Sequence, residues 1–338
     1  MDEHADFTPP RWLRNAHIQS ILASVGPRRA LARSRAGAML RASRDEILDC
    51  GEGIRLHGQY AEASAEPRGL AVLIHGWHGH TGSAYLLAAA AELHARGFSV
   101  FRLHLRDHGP SSYLNRGLFN SVRLPEVVNA VARIAEVHPH PRLFLGGFSL
   151  GGNFALRVAL AAPGVGIALD RVVAICPVLD PAHTMAVLGR SPLYHGYFLR
   201  KWKRAMREKL RHFPEYDFGA ELEKLQNLEE MNRFFVPRYT DFSDSRAYLA
   251  AYALTGERLA TLTVPCHLVT SADDPVIPVA DLDRIARPAA LEIELSPHGG
   301  HCGFIRDWRL RGWAEQRMAT IFCQASESPY GETPRNRS

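Results

Sequence analysis

Leu143-Phe-Leu-Gly-Gly-Phe-Ser-Leu-Gly-Gly-Asn153 is the stretch that decides how this chain is read. An apolar run ends in two glycines, one serine follows, two more glycines follow that, and an amphipathic segment begins at Phe154. Inside it, Gly147-Phe148-Ser149-Leu150-Gly151 has the form G-x-S-x-G. Between a strand and a helix this pattern makes a nucleophile elbow, a turn so tight that small residues must flank the serine, leaving its hydroxyl exposed. The helix that follows sets its N-terminus beneath Ser149, where unpaired N–H groups favour developing negative charge. A serine hydroxyl attacks only with help, so the rest of the chain must supply a base, an acid to orient it and an oxyanion hole.

Outward from the elbow, the chain alternates. Residues 70–74 form a short, continuous apolar run, as expected of a strand buried on both faces. A helix is expected over 84–95, closed by Gly97, then a strand over 98–105 and a helix over 125–137. The elbow strand and the helix 151–162 come next, then strands near 171–178, 265–270 and 291–295 and a final helix over 307–324. An antiparallel pair is expected at 46–50 and 54–60 around the Gly51-Glu-Gly53 turn, and residues 28–44 are basic without a clear period. This order predicts an α/β protein: a mostly parallel central sheet flanked by helices, with ligands beyond the carboxyl ends of the strands. Residues 1–325 read as a single domain, and 326–338 as a disordered polar tail.

Residues 181–262 interrupt the alternation with helical segments and no convincing strand, as expected of a cap inserted over the site. Within it, Leu199, Trp202, Met206 and Leu210 form one apolar stripe on a strongly basic stretch, Arg200 to Arg211. The reading preferred for that stretch is a lid helix packed by its stripe, its charges facing water. The other reading is a contact with a membrane surface or an anionic ligand.

Composition bounds the function. A net charge of +5 is too mild to call for nucleic acid. Five scattered cysteines, with no C-x-x-C pair, predict reduced thiols. The acidic start Met1-Asp-Glu-His, with no apolar segment after it, is unlike a signal peptide, and no run is long enough to span a bilayer. The expectation is a cytoplasmic protein acting on a small molecule.

In folds with this elbow the partners follow in the order serine, acid, histidine. Asp273 and Asp274 both follow a predicted strand, and Asp274, just before Pro275-Val-Ile-Pro278, is preferred, with Asp273 left to cap the turn. After the next strand come His298 and His301. His301, with glycines close on both sides, is preferred as the base. The oxyanion donors are assigned to the amides of Leu150, after the nucleophile, and Trp77, in the loop His75-Gly76-Trp77. His75, His78 and His80, and His104, Asp107 and His108, raise a metal reading; glycine-rich loop histidines hydrogen-bonded to backbone are the preferred alternative. Cys302 is expected to be a small packed residue rather than a reactive thiol.

These residues carry a family resemblance. Phe7-Thr-Pro-Pro10, Asn15-Ala-His17-Ile-Gln19, His75-Gly76 with Gly79, Gly147 to Asn153, Asp273-Asp-Pro275 and Gly299-Gly-His-Cys-Gly-Phe304 resemble the YheT-like branch of the α/β-hydrolases, related to the ABHD-type esterases and lipid hydrolases. The resemblance spans nearly the whole chain. It implies the α/β-hydrolase fold, a Ser149–Asp274–His301 triad and no cofactor, and the residues themselves call for no metal. It also implies hydrolysis of short- to medium-chain acyl esters or lipids, or acyl transfer to an alcohol. The loop Arg106-Asp-His-Gly-Pro-Ser-Ser-Tyr-Leu-Asn115 and the cap depart from the branch. A catalytically silent binding protein on the same fold is the reading from another class.

Overall fold

Residues 7–24, 26–63 and 66–327 are described by the computed structural model. Eight strands form one sheet: β1 (Ser43–Asp49), β2 (Arg55–Ala61), β3 (Leu70–Ile74), β4 (Ser99–Leu103), β5 (Leu143–Phe148), β6 (Arg171–Ile175), β7 (Cys266–Ser271) and β8 (Leu291–Ser296). Their spatial order is β1-β2-β4-β3-β5-β6-β7-β8. β2 runs antiparallel to both β1 and β4, and every other neighbouring pair is parallel.

Residues of period two divide between the two faces of the sheet, as strand geometry requires. From β3, Leu70, Val72 and Ile74 join one core, and Ala71 and Leu73 join the other. The first core is closed by α5 (Leu124–Val137) and α6 (Leu150–Ala161). The second is closed by α4 (Ala84–Ala95) and α12 (Trp313–Glu327). Burial on both faces explains why the strand at 70–74 reads as an unbroken apolar run.

Before the sheet stand α1 (Ala16–Ser24), α2 (Pro27–Arg35) and α3 (Gly37–Ala42). The last two fill the stretch whose sequence has no period, because α2 buries only Arg28 and Ala32 and α3 only Met39. Buried Arg28 pairs with buried Glu315 on α12, tying the N-terminal segment to the last helix. That last helix begins later than residue 307, where the sequence reading starts it. Leu310 has φ 55°, which interrupts a right-handed helix, and residues 306–311 close on themselves instead. Ser326 and Glu327 still belong to α12, and the rest of the expected tail, residues 328–338, lies outside the described residues.

Between β6 and β7 the cap comprises α7 (Pro181–Arg190), α8 (Pro192–His212), α9 (Gly219–Lys224), α10 (Leu228–Tyr239) and α11 (Ser245–Ala251). Met206, Phe218, Leu222, Met231 and Phe235 form a separate small core within it, joined by Leu118 from the loop before α5. The α8 stripe packs inward as the sequence indicates, but not all of its charges face water. Lys209 is fully buried and its Nζ donates to Asp107 Oδ1 at 2.8 Å and to the Ser112 carbonyl at 3.3 Å. Asp107 in turn accepts from the Phe119 N–H at 2.8 Å, and the adjacent Arg106 pairs with buried Glu126 at 2.6 Å. The loop that departs from the family pattern is therefore the cap's anchor.

α1 is a second clamp. Gln19 is fully buried; its amide donates to the Leu13 carbonyl at 2.8 Å and the Ile305 carbonyl at 3.1 Å, and its oxygen accepts from the Ile305 N–H at 2.7 Å. One residue on, Ser20 Oγ accepts from the His301 N–H at 2.8 Å. His17 reaches the other way, to Tyr194 Oη on α8 at 2.9 Å. Gly300 has φ +55°, and a Cβ there would lie 2.4 Å from the Ala16 carbonyl oxygen. The Asn15-to-Gln19 and Gly299-to-Phe304 motifs are thus two halves of one contact.

Two stability measurements follow from these contacts. Lys209→Ala leaves Asp107 buried without its cation and is expected to cost about 3–5 kcal/mol, read as a lower urea midpoint. Gln19→Ala strands the buried Ile305 N–H and is expected to cost about 1–3 kcal/mol in the same measurement.

Candidate active site

β5 ends against the first turn of α6 with Ser149 between them, at φ 55° and ψ −119°. A non-glycine residue with positive φ is strained, and it persists only when its surroundings fix it. Here they do. A Cβ on Gly147 would lie 2.1 Å from the Gly151 carbonyl oxygen, and one on Gly151 would lie 2.3 Å from that of Ile74. The Ser149 N–H donates to the Ile175 carbonyl at 2.8 Å, and its own carbonyl accepts from Asn153 at 3.1 Å. Asn153, fully buried, donates to the carbonyls of Val178 and Tyr252 at 2.8 and 2.9 Å, joining the elbow helix to the end of the cap.

The loops after β7 and β8 bring an acid and an imidazole to this serine. His301 Nε2 lies 3.0 Å from Ser149 Oγ, and its Nδ1 lies 2.9 Å from Asp274 Oδ2. The Asp274 side chain is fully buried, and its other oxygen accepts from the Val276 and Ile277 N–H groups at 2.8 and 2.9 Å. Asp273 is directed elsewhere: it accepts from the Gly300 N–H at 2.8 Å and sits 3.4 Å from His298 Nδ1. Of the two aspartates and two histidines considered from sequence, Asp274 and His301 are the pair joined to Ser149, while Asp273 and His298 brace the loop.

Burial by itself would lower the His301 pKa, but the Asp274 carboxylate, with the neighbouring Cys302 thiol adding to it, outweighs burial, and the net pKa lies well above the ordinary histidine value. In the neutral ring that carboxylate also fixes the tautomer: Nδ1 carries the proton, and Nε2 is free to accept one from Ser149.

The histidine-rich loops around Trp77 do structural work. His75 Nδ1 donates to the Gly76 carbonyl at 2.8 Å and its Nε2 accepts from the Leu105 N–H at 3.2 Å. His108 Nδ1 donates to the Arg106 carbonyl at 2.7 Å, and its Nε2 accepts from the His78 N–H at 3.0 Å. His104 Nε2 accepts from Thr81 at 3.0 Å, and its Nδ1 meets His57 Nδ1 at 2.9 Å. Burial holds the pKa of His75, His78 and His104 well below the ordinary value and lowers that of His108 to about 4, so these rings are neutral. On His75, His104 and His108 the lone pairs a metal would need are already committed to these partners. Tyr85, which sequence reading did not single out, accepts from the Gly76 N–H at 3.0 Å and fixes the loop from below. A third cluster, Cys176, His301 and Cys302, has ligand atoms within 4.8 Å of one another. Both ring nitrogens of His301 already serve Ser149 and Asp274, and both cysteines are buried.

Two cavities meet at Ser149. The smaller, about 90 Å³, runs under the cap and is walled by Leu150, Val178, Met185, Leu188, Trp202 and Tyr252. The larger, about 410 Å³, lies on the His301 side and includes Gly76, Tyr194 and Lys201. Trp77 borders both.

Comparison with known proteins agrees with this architecture. The chain is 26% identical over 329 residues to "Putative esterase YheT" of Escherichia coli (strain K12), covering 93% of this chain and 92% of that protein. Its fold is similar to the Pyrococcus furiosus esterase Pf2001 (TM-score 0.55, 14% identity, 83% of this chain and 92% of that one). It is also similar to 2,6-dihydroxy-pseudo-oxynicotine hydrolase (TM-score 0.59, 15% identity, 88% and 72%). Among the described residues, no helix is long and apolar enough to cross a membrane. Residues 71–309, most of the sheet and the whole cap, match the model of the alpha/beta hydrolase family, and the chain belongs to that family.

Proposed function

We propose that this protein is a serine hydrolase that cleaves carboxylic esters through an acyl-enzyme intermediate. The observation that carries this reading is the unbroken relay from buried Asp274 through His301 to Ser149, at 2.9 and 3.0 Å. The full-length similarity to a protein named as an esterase supports it.

In this reading Ser149 Oγ attacks the ester carbonyl carbon while His301 Nε2 takes its proton. Asp274 holds the imidazole and stabilises the imidazolium. The carbonyl oxygen becomes an oxyanion, met by the Leu150 N–H at the start of α6 and the Trp77 N–H. His301 then protonates the departing alcohol oxygen as the tetrahedral intermediate collapses. A water, deprotonated by His301, attacks the acyl-enzyme and frees the acid. No step calls on a cofactor or a metal.

The apolar cavity under the cap suits the acyl group, which gives short- to medium-chain acyl esters as the substrate class. Acyl transfer is the second reading, because the larger cavity beside His301 can admit an alcohol in place of water; ester products formed with added ethanol would distinguish it. A contact between α8 and a membrane surface has less support, since Arg207 and Arg211 pair with Glu223 and Glu208 within the cap.

Ser149→Ala is expected to lower kcat on p-nitrophenyl butyrate by roughly 10⁴-fold or more and to abolish fluorophosphonate labelling, with the urea midpoint kept. A variant that still turns over at the native rate would overturn the reading. The base must be neutral to act, so activity is lost as pH falls through the His301 pKa. The acid limb of kcat/KM is therefore expected above pH ~6.5, the unperturbed histidine value. Asp274→Asn removes the charge that raises this pKa. It is expected to move the limb to lower pH and to reduce kcat by about 10⁴-fold.

A further inference from the structure

The two cavities at Ser149 differ in one chemical respect: only the larger one is lined by His301. In ester cleavage the imidazolium must hand its proton to the departing oxygen, so the alcohol part of the substrate leaves on the side where His301 stands. The acyl part then occupies the apolar cavity on the Leu150 side.

The alcohol-side cavity is charged. Arg29 from α2 and Arg200 and Lys201 from α8 line it, and no aspartate or glutamate does. None of the three forms an ion pair among the described residues, whereas Arg207 and Arg211, farther along α8, are paired with Glu223 and Glu208. Lys201 Nζ donates to the His78 carbonyl at 3.0 Å and lies 4.9 Å from the centre of the Tyr197 ring, so its charge is held at the cavity wall. Nearby His80, which also lines the cavity, registers the field: burial lowers its pKa, and Arg29 and Lys201 lower it further. Arg29 and Arg200 are exposed and Lys201 is half-buried, and the three reach one cavity wall from two segments distant in the chain.

We propose that the alcohol released by this enzyme carries an anionic group, a phosphate or carboxylate, bound by Arg29, Arg200 and Lys201. The inference rests on the ester-hydrolase reading and specifies the half of the substrate that the acyl cavity leaves undefined. Arginine and lysine are suited to such oxygens because their N–H donors carry charge.

The test compares the butyryl esters of 3-hydroxybenzoate and of methyl 3-hydroxybenzoate, which differ by one charge at the same position. The neutral phenol is the better leaving group chemically, so a preference for the anionic ester reports the cavity. We expect kcat/KM for the anionic ester to exceed that for the neutral one by roughly tenfold, the ratio shrinking between about 0.05 and 0.5 M salt. Replacing Arg29, Arg200 and Lys201 together by Gln should bring the ratio to about one, while Arg207→Gln, outside the cavity, should leave it as in the native protein. A ratio of one or below in the native protein, or a preference that survives the triple replacement, overturns the proposal.

Equilibrium binding separates this outcome from failure of the underlying reading. In Ser149→Ala, 3-hydroxybenzoate should bind roughly tenfold more tightly than its methyl ester, with the difference lost in the triple variant. Absence of that difference overturns the proposal whatever the kinetics. Its presence in a protein that cleaves neither ester supports the anion site and overturns the hydrolase reading alone. The source of the anion is read by comparing soluble 1-butyryl-glycerol 3-phosphate with oleoyl-glycerol 3-phosphate in phosphatidylcholine vesicles. Turnover of the first supports a soluble phosphate ester, turnover confined to the second supports a lipid head group, and cleavage of neither restricts the anion to a carboxylate.

Discussion

The candidate site depends first on the close approach of three backbones around the elbow. Gly151 packs on the carbonyls of Ile74 and His75, and Gly147 packs on Gly151, at separations that leave no room for a Cβ. The ends of β3 and β5 and the start of α6 are thereby locked into one unit. Ser149 is forced to positive φ, which lifts its hydroxyl clear of the sheet. The same contact draws the Gly76-Trp77 loop to the N-terminus of α6, where a Cβ on Gly76 would lie 3.1 Å from that of Ser149. Neutral His75, His104 and His108, each held by backbone groups, then maintain that loop without carrying charge into the site.

A reactive constellation also needs its histidine held, since a misplacement of about 1 Å can cost a hundredfold in rate. Here the His301 loop is braced from two directions. Asp273 accepts the Gly300 N–H from the β7 side, and Ser20 accepts the His301 N–H from α1. The N-terminal helix is thus part of the site's support, although no residue in it reaches Ser149. Through His17 and Tyr194 the same helix touches α8, so the imidazole loop and the wall of the larger cavity share one brace.

Charge buried under the cap serves position more than stability. Removing ions from water costs several kcal/mol each, and their attraction returns this only with good geometry and full hydrogen bonding. The Lys209–Asp107 pair meets that condition: its ammonium also has backbone carbonyl acceptors, and its carboxylate a backbone donor. An apolar stripe alone would let α8 slide or rotate on the domain. A single ammonium with fixed acceptors allows one register, and that register sets which side chains of α8 face each cavity.

The sequence by itself determined the local chemistry. The period and order of the apolar runs establish a mostly parallel sheet with an insertion, because strands buried on both faces must be apolar throughout. The glycines flanking Ser149 and His301 reveal where backbones must approach closely. Lys209 lies three residues after Met206 and seven after Trp202, in phase with the stripe, but its charge argues for water, and only its pairing with Asp107 in the folded chain buries it. Tertiary structure decided what depends on residues far apart in the chain. It separated Asp274 from Asp273 and His301 from His298, since neighbours in sequence differ only in where their side chains point once the loop folds. It found helices in residues 27–42, where too few apolar side chains are buried to leave a pattern. And it brought Arg29 beside Arg200 and Lys201, because a cavity's charge is a sum over segments that meet only when the sheet, the N-terminal helices and the cap pack together.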